Sequence, residues 1–480
     1  MRASRQELVL GAAAVLLSAA ALWLGTGLDP RWPLTWLSPV PVLAFALRAR
    51  ASSAVAAFVA WALGGLNLWG YYRTVLGVPL PVVLVAIAVP ALAFAGLVLL
   101  MRVLTRRGRV LLAALALPAG WTAFEFALSR LSPHGTYGSL AYTQIDCLPV
   151  IQVASLQGIS GITFLLMLVP SAVAVVTLPT AARGRLRILG TTAALLALAL
   201  AYGGWRLIRD KAGRTSVTVG LAAADRPEQP LPAGTQAAQE LMRGYSLERA
   251  RLAWRGAEIL VLPETVVRTG ADGLTAVHED LGATKGPLLV LGTDLMGAGG
   301  ETNAAVAFVP GKPAPALYAK QHLLPPFESR YHPGRELTLL DTRWGRLGLA
   351  ICKDMDFPPL GRRYAERGAS LLLVPAWDFD ADGWLHSRMA VLRGVEGGFA
   401  VARAARRGRL TISDDRGRIV ADAASADAPV VSVLGNVGVR AERTPYTRLG
   451  DWFGWLACGL LAVAVVGAVR AGSAQEGVGP

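Results

Sequence analysis

Long apolar runs alternate with short polar connections over the first ~210 residues, and the pattern changes after that point. A bilayer core about 30 Å thick needs about 20 apolar residues per helix, so each run predicts a membrane span. The first run is long and further runs follow at once, so we interpret it as a retained helix rather than a signal peptide. We expect about eight spans, near residues 8–28, 33–48, 52–72, 79–101, 110–128, 160–179, 188–208 and 452–470. The second contains Pro39 and Pro41 and is the least regular.

Basic residues at the ends of these runs predict the orientation, because short cytoplasmic loops are enriched in Lys and Arg. The basic residues are Arg2 and Arg5 before the first span, Arg48 and Arg50 after the second, Arg102, Arg106, Arg107 and Arg109 after the fourth, Arg183, Arg185 and Arg187 after the sixth, and Arg206, Arg209 and Lys211 after the seventh. The last group runs against this pattern, but it precedes a long domain, and long domains translocate largely regardless of charge. Both termini are therefore predicted inside, and residues 209–450 outside the cytoplasm. An error of one span would invert that domain.

From about Ser216 the pattern becomes short apolar segments separated by Gly, Pro and Asp, which is typical of a layered α/β domain. The predicted strands are 216–222, 258–262, 287–292, 304–309, 346–351, 370–374 and 399–404, with helices at 235–256 and 359–367 between them. We therefore predict three regions. They are an N-terminal membrane domain of about seven helices (1–210), a catalytic α/β domain (211–445), and a C-terminal transmembrane helix with a short tail (446–480).

Composition supports a chain that is partly in the membrane. Apolar residues make up 53% and charged residues 17%, whereas an ordinary globular protein has about 25% charged residues. The formal net charge of +14 does not indicate nucleic-acid binding, because no zinc-finger spacing or base-reading basic helix accompanies it. The three cysteines, Cys147, Cys352 and Cys458, are too few and too scattered for a disulfide framework or a metal cluster. We predict no metal and no organic cofactor.

Three polar residues follow apolar strands of the second region. Glu264 follows the run 258–263, Cys352 follows the run 346–351, and Lys320 opens a Pro-rich loop. Each alone has an ordinary structural explanation, as a solvated loop acid, a small core side chain or a surface lysine. Together they supply a base, a nucleophile and a cation. A carboxylate can take the proton of a thiol, and an ammonium can stabilise the thiolate and the oxyanion that follows.

The order of these residues resembles the Glu-Lys-Cys triad of the nitrilase superfamily, the carbon–nitrogen hydrolases. The resemblance is carried by Pro263-Glu264, by Lys320-Gln-His-Leu-Leu-Pro-Pro-Phe-Glu328, and by Ala350-Ile-Cys352. Membrane spans on both sides narrow it to the apolipoprotein N-acyltransferase family. Further segments similar to that family are 121–126, 140–146, 161–166 and 444–452. The resemblance therefore extends over nearly the whole chain.

The resemblance implies an αββα sandwich on the periplasmic side of the bacterial inner membrane. It implies that Cys352, as nucleophile, takes an acyl chain from a phospholipid as a thioester. The amine of a diacylglyceryl-cysteine apolipoprotein would then receive the chain. Glu264 would be the general base and Lys320 the oxyanion and thiolate stabiliser. Glu328 matches a second, supporting acid.

One departure from the family keeps other functions open. Lys353 and Asp354 follow Cys352 where the family commonly has an aromatic residue and Glu, and this is closer to soluble amidases. Lys353 is interpreted either as a phosphate-headgroup ligand or as a solvated surface lysine. The alternative function is a membrane-tethered carbon–nitrogen hydrolase (amidase) with the same triad. A transporter or scaffold is disfavoured, because Glu125 is the main ionisable residue within the spans.

Overall fold

The computed structural model describes residues 5–49, 52–209, 215–282 and 286–473. Contacts divide the chain into a helical unit and an α/β unit. The helical unit consists of Met1–Ser132, Thr136–Leu207 and Leu449–Pro480, and the α/β unit of Pro133–Gly135 and Ile208–Arg448. The predicted boundary at 210/211 lies outside the described residues, as do Arg2 and Arg50, which were used to predict the orientation, and Lys211 of the basic group that runs against it.

The helical unit contains the longest apolar helices. Its helices are α1 (Arg5–Gly25), α2 (Trp32–Leu37), α3 (Val40–Ala46), α4 (Ser53–Gly65), α5 (Leu80–Arg106), α6 (Val110–Leu131), α7 (Leu148–Ile151), α8 (Ala154–Gln157), α9 (Ile159–Val176) and α10 (Arg185–Ile208) before the α/β unit, and α16 (Trp452–Ser473) after it. Within the described residues, six are long and apolar enough to cross a membrane, namely α1, α5, α6, α9, α10 and Trp452–Arg470 of α16. These six overlap six of the predicted spans.

The other two predicted spans are not single long helices. The segment 33–48 is divided into α2 and α3, which flank Ser38 and Pro39. Pro39 has no amide hydrogen to continue the helical ladder, and its ring restricts the residue before it. The segment 52–72 begins with α4. This helix ends at Gly65, and the chain continues as a 3₁₀ turn, Leu66–Leu68. The structure therefore divides the segments predicted as spans at 33–48 and 52–72 into shorter apolar helices.

Glu125 joins three parts of the helical unit. Its carboxylate accepts hydrogen bonds from Trp121 Nε1 at 2.9 Å on its own helix, and from Thr163 Oγ1 at 2.8 Å on α9. It also accepts from Ser139 Oγ at 2.6 Å and from the Leu140 amide at 3.0 Å in the connecting segment. A carboxylate removed from water must have such donors. The main ionisable residue of the predicted spans therefore has a structural explanation.

The α/β unit contains two sheets. The strands are β1 (Thr215–Ala223), β2 (Leu231–Pro232), β3 (Ile259–Val261), β4 (Val267–Gly270), β5 (Leu288–Gly297), β6 (Gly300–Phe308), β7 (Ala316–Ala319), β8 (Leu339–Thr342), β9 (Gly345–Leu349), β10 (Ala369–Trp377), β11 (Ala400–Arg406), β12 (Arg409–Ser413), β13 (Ile419–Ala424) and β14 (Val431–Val439). One sheet has the order β14-β1-β3-β5-β4-β2, with β6 paired to β5 and β7 paired to β6. The other has the order β13-β12-β11-β10-β9-β8.

Apolar side chains of both sheets form one shared core, so the sheets pack face to face. Val219 and Val261 of the first sheet lie in this core together with Leu349 and Leu373 of the second. The remaining helices are α11 (Gln236–Trp254), α12 (Leu274–Asp280), α13 (Pro358–Glu366), α14 (Gly383–Gly397) and α15 (Pro445–Leu449). The outer face of the first sheet packs on α11 and α12, and that of the second on α13 and α14. The layer order is therefore αββα.

Two adjacent glycines of α10 give a test of packing in the helical unit. A Cβ atom at Gly203 would lie 2.0 Å from the carbonyl oxygen of Pro149, whereas a Cβ at Gly204 would meet nothing within 4 Å. Backbone atoms cannot rotate away as a side chain can. We therefore expect Gly203→Ala to lower the thermal unfolding temperature in detergent. Gly204→Ala should leave it unchanged or raise it, because Ala is the better helix former. Equal effects of the two changes would contradict this packing.

Candidate active site

Glu264 lies just after β3, where the chain turns sharply. Thr265 has φ +46°, a conformation that costs energy for a residue with a Cβ. Gly292 of β5 lies directly against this turn, and its amide donates to the Pro263 carbonyl at 2.8 Å. A Cβ at Gly292 would lie 2.4 Å from Glu264 Cα. The turn therefore depends on a glycine in the neighbouring strand, and it holds Glu264 in a buried position.

Lys320, which is buried, and Glu328, which is partly buried, complete a charge cluster around Glu264. Lys320 Nζ lies 2.8 Å from Glu264 Oε1 and 2.9 Å from Glu328 Oε2. Asn303 of β6 donates from Nδ2 to Glu264 Oε1 at 2.6 Å and to Glu328 Oε1 at 2.7 Å. The Leu324 amide donates to Glu328 Oε2 at 2.7 Å. One ammonium and one amide group thus join two carboxylates.

The sequence analysis did not identify Asn303. It lies one residue before the predicted strand 304–309, and a polar residue beside an apolar strand has many ordinary explanations. The strand β6 in fact begins at Gly300, which places Asn303 inside the sheet. A buried amide inside a strand needs a polar partner, but the sequence does not show where that partner lies.

Cys352 follows β9 and begins a 3₁₀ turn that ends at Asp356. It has φ +44°, which is rare for a residue other than glycine. The thiol is half-buried, and Sγ lies 3.4 Å from the carbonyl oxygen of Trp377, which can accept its hydrogen. The charges of Glu264 and Lys320 both act on the pKa of this thiol. The α/β unit therefore brings together all four residues predicted for the site.

The protonation of the cluster follows from burial and from its charges. Burial, with the nearby Glu264 carboxylate, raises the pKa of the Cys352 thiol well above its ordinary 9.0, and Lys320 opposes this. Burial also raises the pKa of Glu264, which makes it a stronger base. Burial alone would lower the pKa of Lys320, but Glu264 and Glu328 together hold it well above its usual range. The raised pKa values keep Cys352 a thiol and Lys320 an ammonium, and the raised pKa of Glu264 makes it the better proton acceptor of the site.

Asp354 organises the loop that begins at Lys320. It is buried, and its carboxylate accepts from the His322 amide at 3.0 Å, the Tyr318 hydroxyl at 2.8 Å and the Ile351 amide at 3.1 Å. Ile351 directly precedes the thiol, so one carboxylate connects that segment to the start of the loop. The amidase-like acid after Cys352 therefore has a structural role in this chain.

Lys353 is not a solvated surface lysine, so that interpretation is wrong. It is only 4% exposed, and Nζ donates to the Leu323 carbonyl at 3.1 Å. Burial lowers the pKa of Lys353, and the nearby Asp356 opposes this. The lysine therefore reinforces the link between the Cys352 turn and the loop after Lys320.

Phe327 lies near the tip of that loop. Its side chain is 51% exposed, and its ring centroid is 5.2 Å from that of Phe379. Two aromatic rings from separate segments thus form an apolar surface.

Across residues 5–49, 52–209, 215–282 and 286–473, no group of three His, Cys, Asp or Glu side chains is arranged to hold a metal ion.

Comparisons with known proteins separate the two parts of the chain in the same way. Residues 13–172 match the apolipoprotein N-acyltransferase N-terminal domain, and residues 230–435 match the carbon–nitrogen hydrolase domain. An apolipoprotein N-acyltransferase from Geobacter metallireducens is 27% identical over 406 residues, covering 76% of each chain. A protein from Mycobacterium tuberculosis named as a hydrolase is 31% identical over 226 residues, covering 42% of this chain and 79% of its own length. A crystal structure of an amidase from Nesterenkonia sp. aligns with TM-score 0.39 and 22% identity, covering 48% of this chain and 92% of that one.

The carbon–nitrogen hydrolase match over residues 230–435 and the αββα layers define the class of the second half, which is an enzyme domain of the nitrilase superfamily. Because the N-terminal domain matches as well, the chain combines the apolipoprotein N-acyltransferase N-terminal domain with a carbon–nitrogen hydrolase domain, and its matching relatives include apolipoprotein N-acyltransferases. It is a membrane protein with an acyltransferase-like enzyme domain.

Gly292 offers a test of how Glu264 is positioned. Any Cβ at this position must push the Glu264 backbone away, so Gly292→Ala should displace the carboxylate. A displacement of about 1 Å can cost about 100-fold in rate, and we expect a loss of that size in the catalytic rate. Gly297→Ala on the same strand is the matched control, because its nearest contact would be an ordinary 3.7 Å. Full activity in the Gly292 variant would refute this positioning.

Proposed function

We propose that this protein transfers an acyl chain from a phospholipid to the N-terminal amine of a diacylglyceryl-cysteine apolipoprotein, the last step of lipoprotein maturation. Its partners are then the phospholipid donor, the diacylated acceptor and the bilayer. The supporting observation is the buried Glu264, Lys320 and Glu328 cluster around Cys352, in a chain whose remaining part is built for a membrane. Because both substrates are lipids, an enzyme held at the bilayer meets them without extracting them.

In the first step Cys352 is the nucleophile and Glu264 the general base. Glu264 takes the thiol proton as Sγ attacks the ester carbonyl of the phospholipid. The Lys320 ammonium, held by Glu328, stabilises the thiolate and the oxyanion that forms. The oxyanion collapses, the ester C–O bond breaks, and Glu264 gives its proton to the departing oxygen. A lysophospholipid leaves and a thioester remains on Cys352.

In the second step the amine of the apolipoprotein attacks the thioester carbonyl. Glu264 takes a proton from the attacking nitrogen, and the C–S bond breaks as the second tetrahedral intermediate collapses. The proton then returns to the Cys352 thiolate, and the product is an amide. One carboxylate thus acts in both directions, which suits a base whose pKa burial has raised.

We further propose that eight segments cross the membrane, the six long helices together with the interrupted segments 33–48 and 52–72. The α/β unit then lies on the periplasmic side of the bacterial inner membrane. The basic residues described by the structure support this, since Arg48 and Arg107 lie at the ends of spans on the predicted cytoplasmic side.

A second candidate is a membrane-tethered amidase with the same triad. The observation in its favour is Asp354, an acid in the soluble amidase pattern. The two functions differ in the acceptor, which is water for the amidase and a lipoprotein amine for the transferase.

The acyl-enzyme is the first test. Purified protein incubated with phospholipid vesicles should gain the mass of one acyl chain on the peptide containing Cys352, and Cys352→Ala should gain none. Adding a diacylglyceryl peptide should remove the adduct and place the acyl chain on the peptide's N-terminus. Mass spectrometry of both components measures the transfer. No adduct in folded wild-type protein, with release of ammonia from small amides, would favour the amidase.

The side of the membrane on which the α/β unit lies is tested separately, in protein whose native cysteines have been replaced. Leu247 on α11 is 73% exposed and Arg107 is exposed after α5, so each can be replaced by a single cysteine. We expect a membrane-impermeant maleimide to label Leu247→Cys in cells with an opened outer membrane, and Arg107→Cys only after lysis. The reverse pattern would place the α/β unit in the cytoplasm.

A further inference from the structure

A buried ion pair outside the Glu-Lys-Cys triad lies next to the carbonyl that contacts Cys352. Arg403 is on β11, and Asp378 directly follows Trp377 at the end of β10. The guanidinium and the carboxylate form two contacts, Nη1 to Oδ2 at 2.9 Å and Nη2 to Oδ1 at 2.5 Å. Both side chains are almost completely buried, at 1% and 0% exposure. A two-point contact of this kind fixes the orientation of both groups.

This pair holds the peptide group that contacts the thiol. The carbonyl oxygen of Trp377 is 3.4 Å from Cys352 Sγ, and the other side of the same peptide group is the amide of Asp378. That amide donates to the Arg406 carbonyl at 3.1 Å. The peptide is therefore held by its own amide and by the Asp378 side chain. The Trp377 carbonyl cannot turn away from the thiol without breaking these contacts.

Gly408 shows how closely the chain packs around this carboxylate. A Cβ at Gly408 would lie 2.0 Å from Asp378 Oδ2. The Gly408 amide is itself held by Ser425 Oγ at 2.8 Å. The pair thus occupies a site that is shaped for it, and the fold accepts the cost of burying two charges there.

We propose that Asp378 and Arg403 are a positioning pair that holds the Trp377 carbonyl against Cys352 and sets the charge around its thiol. This rests on the proposed role of Cys352 as nucleophile. The two charges oppose each other, since Asp378 raises the pKa of Cys352 and Arg403 lowers it. The charged groups that act on the thiol are Glu264 after β3, Lys320 after β7, the adjacent Lys353, Asp378 after β10 and Arg403 on β11.

Because Asp378 and Arg403 carry opposite charges, removing one or the other should shift the pKa of the Cys352 thiol in opposite directions. A purely structural role would not produce this. The measurement is the pH dependence of iodoacetamide alkylation of Cys352, in full-length protein with Cys147→Ala and Cys458→Ala. Asp378→Asn leaves the cation uncompensated, so the midpoint should move to lower pH. A one-unit move increases alkylation below the midpoint about tenfold. Arg403→Gln should move the midpoint to higher pH and slow alkylation correspondingly.

Two controls separate charge from folding. Glu396→Gln disturbs another buried pair, with Arg393 on α14, and should leave the midpoint unchanged. Arg403→Lys keeps the cation but loses the planar contact, so its midpoint should stay near the wild-type value. Shifts of Asp378→Asn and Arg403→Gln in the same direction, or none in either, would overturn the proposal.

The double variant Asp378→Asn/Arg403→Gln covers the case in which a lone buried charge prevents folding. It removes both charges, so the alkylation midpoint should remain near that of wild type. Acyl-enzyme formation should fall about tenfold because the carbonyl is no longer held, and a wild-type rate would refute the positioning role. Alkylation needs neither lipid substrate. Opposite shifts of the alkylation midpoint without any acyl adduct would therefore support the positioning pair and refute the proposed transferase function.

Discussion

The sharing of one ammonium between a buried and a partly buried carboxylate is the interaction on which the rest of the site depends. Lys320 is held by Glu264 and Glu328 at hydrogen-bond distance and away from water. Buried charges persist only when paired and hydrogen-bonded, and both carboxylates raise the pKa of the lysine. In the proposed mechanism, the second carboxylate holds the lysine while the first exchanges a proton. A single carboxylate would be neutralised by the lysine and would be a poorer base.

The fold supplies this arrangement through the ends of its strands. Glu264 and Cys352 both follow strands of the two facing sheets, and each lies at or beside a residue with positive φ. Such backbone conformations cost free energy, so the surrounding structure must hold them. The glycine at 292, the carboxylate of Asp354 and the ion pair at Asp378 do so from three directions. The rigid sandwich core thus positions residues that would be strained in an isolated peptide.

The sequence predicted the parts of the fold that have one dominant signal. Long apolar runs predicted six helices, and continuous apolar strands predicted the central strands, because burial on both faces leaves no polar positions. Strands such as β13, an edge strand whose positions are exposed or half-buried, were not predicted, because no continuous apolar run marks them in the sequence. The same limit applies to Asn303 and to Arg403. Their roles arise from contacts between strands, which no local pattern encodes.

The hydrogen bonds of Glu125 have a consequence for the insertion of the helical unit into the membrane. Its carboxylate is satisfied only when α6, the segment at Ser139 and Leu140, and α9 have come together. During synthesis α6 enters the bilayer before α9 exists, and at that stage the acid lacks two of its three sources of donors. An intramembrane carboxylate without donors is costly. Lasting insertion of α6 therefore depends on the later arrival of α9, and the two helices behave as one unit of membrane biogenesis.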